Sequence, residues 1–157
     1  MKHLHQLLAT VLLTLTLASQ AADGPYNEAA DAKQDIQHAL TQSRADGKPL
    51  LVVFGANWCG DCKVLDLAMK SGATAALMAR DFRVVKVDVA RFTKNVDIAE
   101  SYGVPLKKGI PAVALLGADQ RVIYATRAGE LADARTMGDA GIHDFFQRAL
   151  AESGVRR

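Results

Sequence analysis

The sequence predicts an α/β fold, with one mixed central β-sheet and helices on both faces. Three observations predict it. Helical and extended segments follow one another as helix, strand, helix, strand, helix, strand, strand, helix. The first extended segment, Leu50-Leu51-Val52-Val53-Phe54, is an unbroken apolar run, as expected of a strand covered on both faces. The last two extended segments are separated only by Gly117-Ala118-Asp119-Gln120, which suits a hairpin. Strands joined through a helix must be parallel and hairpin strands antiparallel, so the sheet is mixed.

Residues 27–46 place Ala29, Ala32, Ile36, Ala39, Leu40 and Ser43 on one stripe at helical spacing, with Asn27 as the cap. Asp46-Gly47-Lys48-Pro49 ends that helix, because Gly accepts a left-handed cap and Pro cannot continue the helix. After the first strand, Gly55-Ala56-Asn57 turns the chain into a second helix over 60–80, bent or broken at Ser71-Gly72. Residues 82–89 alternate and are rich in valine, which predicts a strand. A short helix over 95–102, the hairpin of 111–116 with 121–126, and a closing helix over 141–152 follow. The polar stretch 129–138 reads as a surface loop.

Composition narrows the function classes. The 157 residues are 50% hydrophobic and 23% charged with a formal net charge of +2, which fits one globular domain and gives no basic excess for nucleic acid. Aromatic residues are only 6%, which argues against a base-stacking surface. Residues 1–21 read as a secretory leader: Lys2, an uncharged run from Leu7 to Leu17, and small residues at Ser19 and Ala21 before a cleavage point after Ala21. An uncleaved anchor is the other reading of this segment, although the run falls short of the about 20 apolar residues a membrane span needs. Residues 22–157 are then the folded domain, placed in the periplasm or secreted, where disulfides persist.

The chain's two cysteines stand in Trp58-Cys59-Gly60-Asp61-Cys62, directly after the first strand and at the start of the second helix. A helix N-terminus offers unpaired backbone N–H groups and partial positive charge, which stabilise a thiolate, the reactive form of cysteine. Cys59 is expected at the cap with its sulfur exposed, and Cys62 one turn on. One sulfur would attack a disulfide and the other resolve the mixed disulfide. A structural bridge and two inert thiols are competing readings. Zinc is a third, but a tetrahedral site needs two more ligands and there is no other cysteine; His38 and His143 lie in separate predicted helices. No nucleotide, flavin or metal motif appears, so no cofactor is implied.

The segment Phe54-Gly55-Ala56-Asn57-Trp58-Cys59-Gly60-Asp61-Cys62-Lys63 resembles the active-site segment of the thioredoxin superfamily, and Gly109-Ile110-Pro111 resembles its second signature, a cis-proline loop. The resemblance covers 48–128 and implies a thioredoxin-like fold, with the Ile110–Pro111 loop facing the cysteines and presenting backbone groups to a substrate chain. Sequence alone shows only a proline at a strand start, where an ordinary trans bond also fits. Departures are visible. Val53 stands where thioredoxin has a buried acid that serves the resolving cysteine, and 104–108 lengthens the loop before Pro111. Lys86 matches a family lysine near the site, or is simply a solvated strand residue.

Together these features predict an exported thiol–disulfide oxidoreductase of the reductase type, acting on protein disulfides or thiols as a monomer. Cys59 attacks, Cys62 resolves, and Trp58, Gly60, Asp61 and Lys86 tune the site. The electron donor would be a separate protein, such as a membrane thiol–disulfide reductase. The charge of Asp61, expected exposed, would disfavour the thiolate and lower the potential. An oxidase or isomerase of the same fold, and a binding module with a structural disulfide, are the alternatives.

Overall fold

A computed structural model describes residues 24–155; the leader-like segment lies outside the described residues. Helix α1 spans Ala32–Asp46 and strand β1 Leu50–Gly55. Helices α2 (Gly60–Met69) and α3 (Gly72–Asp81) follow, then β2 (Arg83–Asp88), α4 (Val96–Ser101), a 3-10 turn at Leu106–Lys108, β3 (Ala112–Leu116), β4 (Val122–Ala125) and α5 (Ala134–Glu152). The four strands lie in the order β2-β1-β3-β4. β1 runs parallel to β2 and antiparallel to β3, and β3 and β4 form the expected hairpin, irregular at Leu115/Leu116.

Every residue of β1 and β3 is buried, because these central strands are covered on both faces. Leu50, Val52 and Phe54 point into one core with α1, α4 and Ala112, Ala114 and Leu116 of β3. Leu51 and Val53 point into the other, with Leu65 of α2, Leu77 of α3, Phe146 of α5 and Val113 and Leu115 of β3. The alternation of Cβ directions along a strand thus assigns helices to the two faces.

Two sequence expectations change and one holds. α1 begins at Ala32, not at 27: Asp31 is its cap, accepting from the Gln34 N–H at 3.1 Å, while Asn27 accepts from the Ala29 N–H in a preceding turn and Ala29 is exposed. The 60–80 segment breaks where expected, at Ser71-Gly72, into two helices, the Ser71 hydroxyl bonding back to the Leu67 carbonyl at 2.7 Å and Gly72 taking φ +49°. The stretch 129–138 is no plain loop. Leu131 and Ala134 are fully buried, and helix α5 starts at Ala134, with non-helical angles only at Gly138.

Phe146 anchors α5 between Phe82 and Phe145, with ring centroids 6.3 and 5.3 Å away. Phe146→Ala should destabilise the fold by about 3–5 kcal/mol, the cost of emptying a buried aromatic site. Chemical denaturation of the two proteins measures this.

Candidate active site

The site begins where β1 ends. Gly55 leaves the sheet, Ala56 is buried, and the Ala56 carbonyl accepts from the Cys59 N–H at 3.1 Å, closing a tight turn into α2. Cys59 takes the N-cap position with extended backbone, and its sulfur accepts from the Cys62 N–H at 3.2 Å. A sulfur therefore stands where a serine or aspartate oxygen usually caps, receiving an orphan N–H at the positive end of the helix. The cysteines are joined in a disulfide, with Cα atoms 5.2 Å apart.

The site is more enclosed than the sequence implies. Cys59 is only 5% exposed, contrary to the exposed sulfur expected of a helix cap, and Cys62 is fully buried. The cover comes from the Ile110–Pro111 loop: that peptide bond is cis, both residues are buried, and the Ile110 carbonyl oxygen lies 3.5 Å from Cys59 Sγ. Trp58 stands on the open side, 48% exposed, its indole N–H donating to the Ala90 carbonyl at 2.7 Å. Phe92 meets its ring edge-on at 6.0 Å and Arg91 lies 5.6 Å from its centroid. The exposed aromatic is fixed rather than free, so the surface beside the disulfide is preformed.

Asp61 departs most from expectation. It is buried, not an exposed charge, and the polar stretch after β4 folds onto it. The Arg135 backbone N–H donates to Asp61 Oδ1 at 2.9 Å, and its guanidinium reaches Oδ2 at 3.1 Å. Burial is the largest single influence and would raise the carboxyl pKa. The Arg135 hydrogen bonds, the Arg135 charge and Asp61's own backbone N–H together outweigh burial and hold the carboxyl below its usual value. Asp61 is thus ionised but matched by a cation, and the field it exerts on the sulfurs is much reduced. A Cβ on Gly60 would come 3.4 Å from the same guanidinium, which places Arg135 across the dipeptide between the cysteines.

Lys86 is not a solvated strand residue. It is half-buried on β2 and paired with Asp66, which also holds Lys70 at 2.8 Å, and burial lowers its ammonium pKa. Asp66 lies four residues after Cys62, one turn further along the same face of α2. Val53 sits opposite Lys86 in the sheet, so the strand position that lacks an acid faces a lysine matched by Asp66 of α2. Asp66 and Arg135 escaped the sequence reading. The i, i+4 spacing from Cys62 could have found Asp66, whereas nothing local marks Arg135. Among the described residues no group of three or more His, Cys, Asp or Glu side chains could hold a metal.

This arrangement can carry thiol–disulfide exchange: a capped sulfur beside a backbone carbonyl, a second sulfur in reach, and a rigid rim. Removing the cation with Arg135→Ala should leave Asp61 uncompensated, destabilise the Cys59 thiolate and make the couple more reducing by about 5–20 mV, the scale of a largely exposed charge. Asp61→Asn should shift it the opposite way. Equilibration of both variants against dithiothreitol buffers reads the two signs.

The comparisons with known proteins agree with this geometry. A thioredoxin-like family profile matches residues 31–118. The crystal structure of a disulphide isomerase from Xylella fastidiosa Temecula1 is 46% identical, covers 82% of this chain and 98% of its own, and superposes with a TM-score of 0.78. Thioredoxin-related protein DsbJ of Chlamydia pneumoniae is 27% identical over 146 residues, and thiol:disulfide interchange protein DsbD 1 of Pseudomonas aeruginosa is 25% identical over 118. These alignments take in 88% and 73% of this chain but only 42% and 18% of the two relatives' lengths. With the profile running from α1 past β3 and through the cysteine-bearing turn, the chain belongs to the thioredoxin-like family.

Proposed function

We propose that this protein is a thiol–disulfide oxidoreductase that reduces disulfides in exported proteins. The observation that carries the reading is the Cys59 sulfur at the N-cap of α2, joined to Cys62 and facing the Ile110 carbonyl. In the reduced protein the Cys59 thiolate attacks one sulfur of a substrate disulfide and the other substrate sulfur leaves as a thiolate. Cys62 then attacks Cys59, the mixed disulfide breaks, and the substrate's second sulfur departs reduced. Two electrons have passed from the cysteine pair to the substrate. Ile110 and Pro111 dock the substrate backbone, Trp58 and Gly60 shape the entry, and Asp61 and Lys86 tune the sulfurs through Arg135 and Asp66. A separate donor, such as a membrane thiol–disulfide reductase, returns the electrons. The leader-like residues 1–21 support export to the periplasm or beyond, and the domain acts as a monomer.

A second reading, isomerisation, is favoured by one contact. Arg135 offsets the charge of Asp61, which removes much of the argument for a strongly reducing couple. The 46% identical Xylella structure is described as a disulphide isomerase, in keeping with that reading.

Cys59→Ser should abolish reduction of insulin disulfides. The potential of the unaltered protein then decides direction: a value near about −270 mV supports a reductase, and one near about −180 mV an isomerase. Activity that survives Cys59→Ser would remove both readings.

A further inference from the structure

Two buried groups beneath Cys62 have no part in the scheme above. Tyr26 precedes α1 and is 1% exposed. It is strapped to the active-site turn: its N–H donates to Asn57 Oδ1 at 2.9 Å, and Asn57 Nδ2 donates back to its carbonyl at 2.9 Å. Asn57 is the residue before Trp58, so the strap and the cysteine turn are one unit. The phenol reaches under Gly55. A Cβ built there would come 2.9 Å from Cys62 Sγ and would overlap Tyr26 Oη outright. Hydroxyl and sulfur thus flank the space that a side chain at Gly55 would fill, and a glycine leaves it open between them.

Asp88 is the second group. It ends β2 directly opposite Gly55, as Lys86 stands opposite Val53. Paired residues share a face of the sheet, and the Lys86–Asp66 contact identifies it as the α2 face. Asp88 is 5% exposed, and its Oδ1 is the one buried side-chain oxygen or nitrogen without a hydrogen-bond partner among the described residues. Such an orphan is costly unless it has a use. Burial, and after it the charge of Asp88, hold the Tyr26 hydroxyl protonated far above the ordinary phenol range. The other charged groups around Cys62 are matched: Lys86 with Asp66, and Asp61 with Arg135. Asp88 makes no ion pair among the described residues.

We propose that Tyr26 and Asp88 form the proton station of the resolving cysteine, with the Tyr26 hydroxyl relaying the Cys62 thiol proton to the Asp88 carboxylate. This rests on the oxidoreductase reading and deepens it. In the mixed disulfide the Tyr26 hydroxyl turns onto Asp88 Oδ1, which has no partner in the disulfide form, and Cys62 gives its proton to Tyr26 Oη as Tyr26 passes its own to that oxygen. The freed electron pair forms the Cys62–Cys59 bond, and the Cys59–substrate bond breaks. The substrate sulfur leaves with the electron pair of the broken Cys59–substrate bond and takes a proton from water. Asp88 later returns its proton to solvent. An acid on β2, reached through a tyrosine from the N-terminal strap, does the work that Val53 cannot.

The test uses an aromatic disulfide that releases one coloured thiolate per step, mixed rapidly with the reduced full-length protein. The first release reports attack by Cys59 and the second reports resolution by Cys62. Tyr26→Phe and Asp88→Asn should leave the first phase intact and slow the second about 10-fold or more near neutral pH, at the low end of general-base contributions. The deficit should close as the solution is made alkaline and the thiol ionises unaided. Absence of a first phase in the unaltered protein would remove the oxidoreductase reading itself. A normal first phase with an unchanged second phase in both variants would overturn the proton station alone, and so would equal slowing of both phases, which marks a merely structural role.

Discussion

The site depends on the way β1 is buried. Its six residues, Leu50–Gly55, are covered on both faces, so the strand can neither slide nor tilt without exposing apolar side chains to water. Its end is therefore fixed, and the turn that follows places Cys59 on the cap of α2 within hydrogen-bonding range of the Cys62 N–H. Reactive chemistry needs a sulfur held in a defined field. Here the field is backbone: one orphan N–H, the helix dipole behind it, and a carbonyl from the opposing loop.

Around that fixed point three separate stretches of chain converge. The segment before α1 passes beneath the turn through Asn57, the loop before β3 brings Ile110 over Cys59, and the stretch after β4 brings Arg135 onto Asp61. Each is tied by its own backbone as well as by a side chain, so none is a loose flap. Two acids near the sulfurs stand in local pairs, Asp61 with Arg135 and Asp66 with Lys86, which moderates their field, whereas Asp88 has no ion pair among the described residues. Single substitutions at these pairs are therefore expected to shift the redox balance by small amounts.

Much of this was legible in the sequence, because burial and local geometry leave local marks. The apolar run of β1, the Cys-x-x-Cys at a strand-to-helix junction and the Gly-Ile-Pro before the hairpin each report their own surroundings. What the sequence hid was long-range. Arg135 lies 74 residues from Asp61, in a stretch whose polarity reads as loop, and only Leu131 and Ala134 hint at its buried anchor. Asn27 is a good cap residue, but Asp31 wins because the buried stripe starts at Ala32. Asp61 looked like an exposed charge because its partner could not be seen.

On the proposed function, capping makes the Cys59 sulfur the reactive one and enclosure withholds Cys62. The most direct measurement is the pH dependence of alkylation of the reduced protein by iodoacetamide, with each modified cysteine identified by mass spectrometry. Cys59 should be modified first and below the pH at which an ordinary thiol of pKa about 8.5 reacts, with Cys62 protected throughout. Modification of Cys62 first, or of both at the rate and pH of an ordinary thiol, would contradict it.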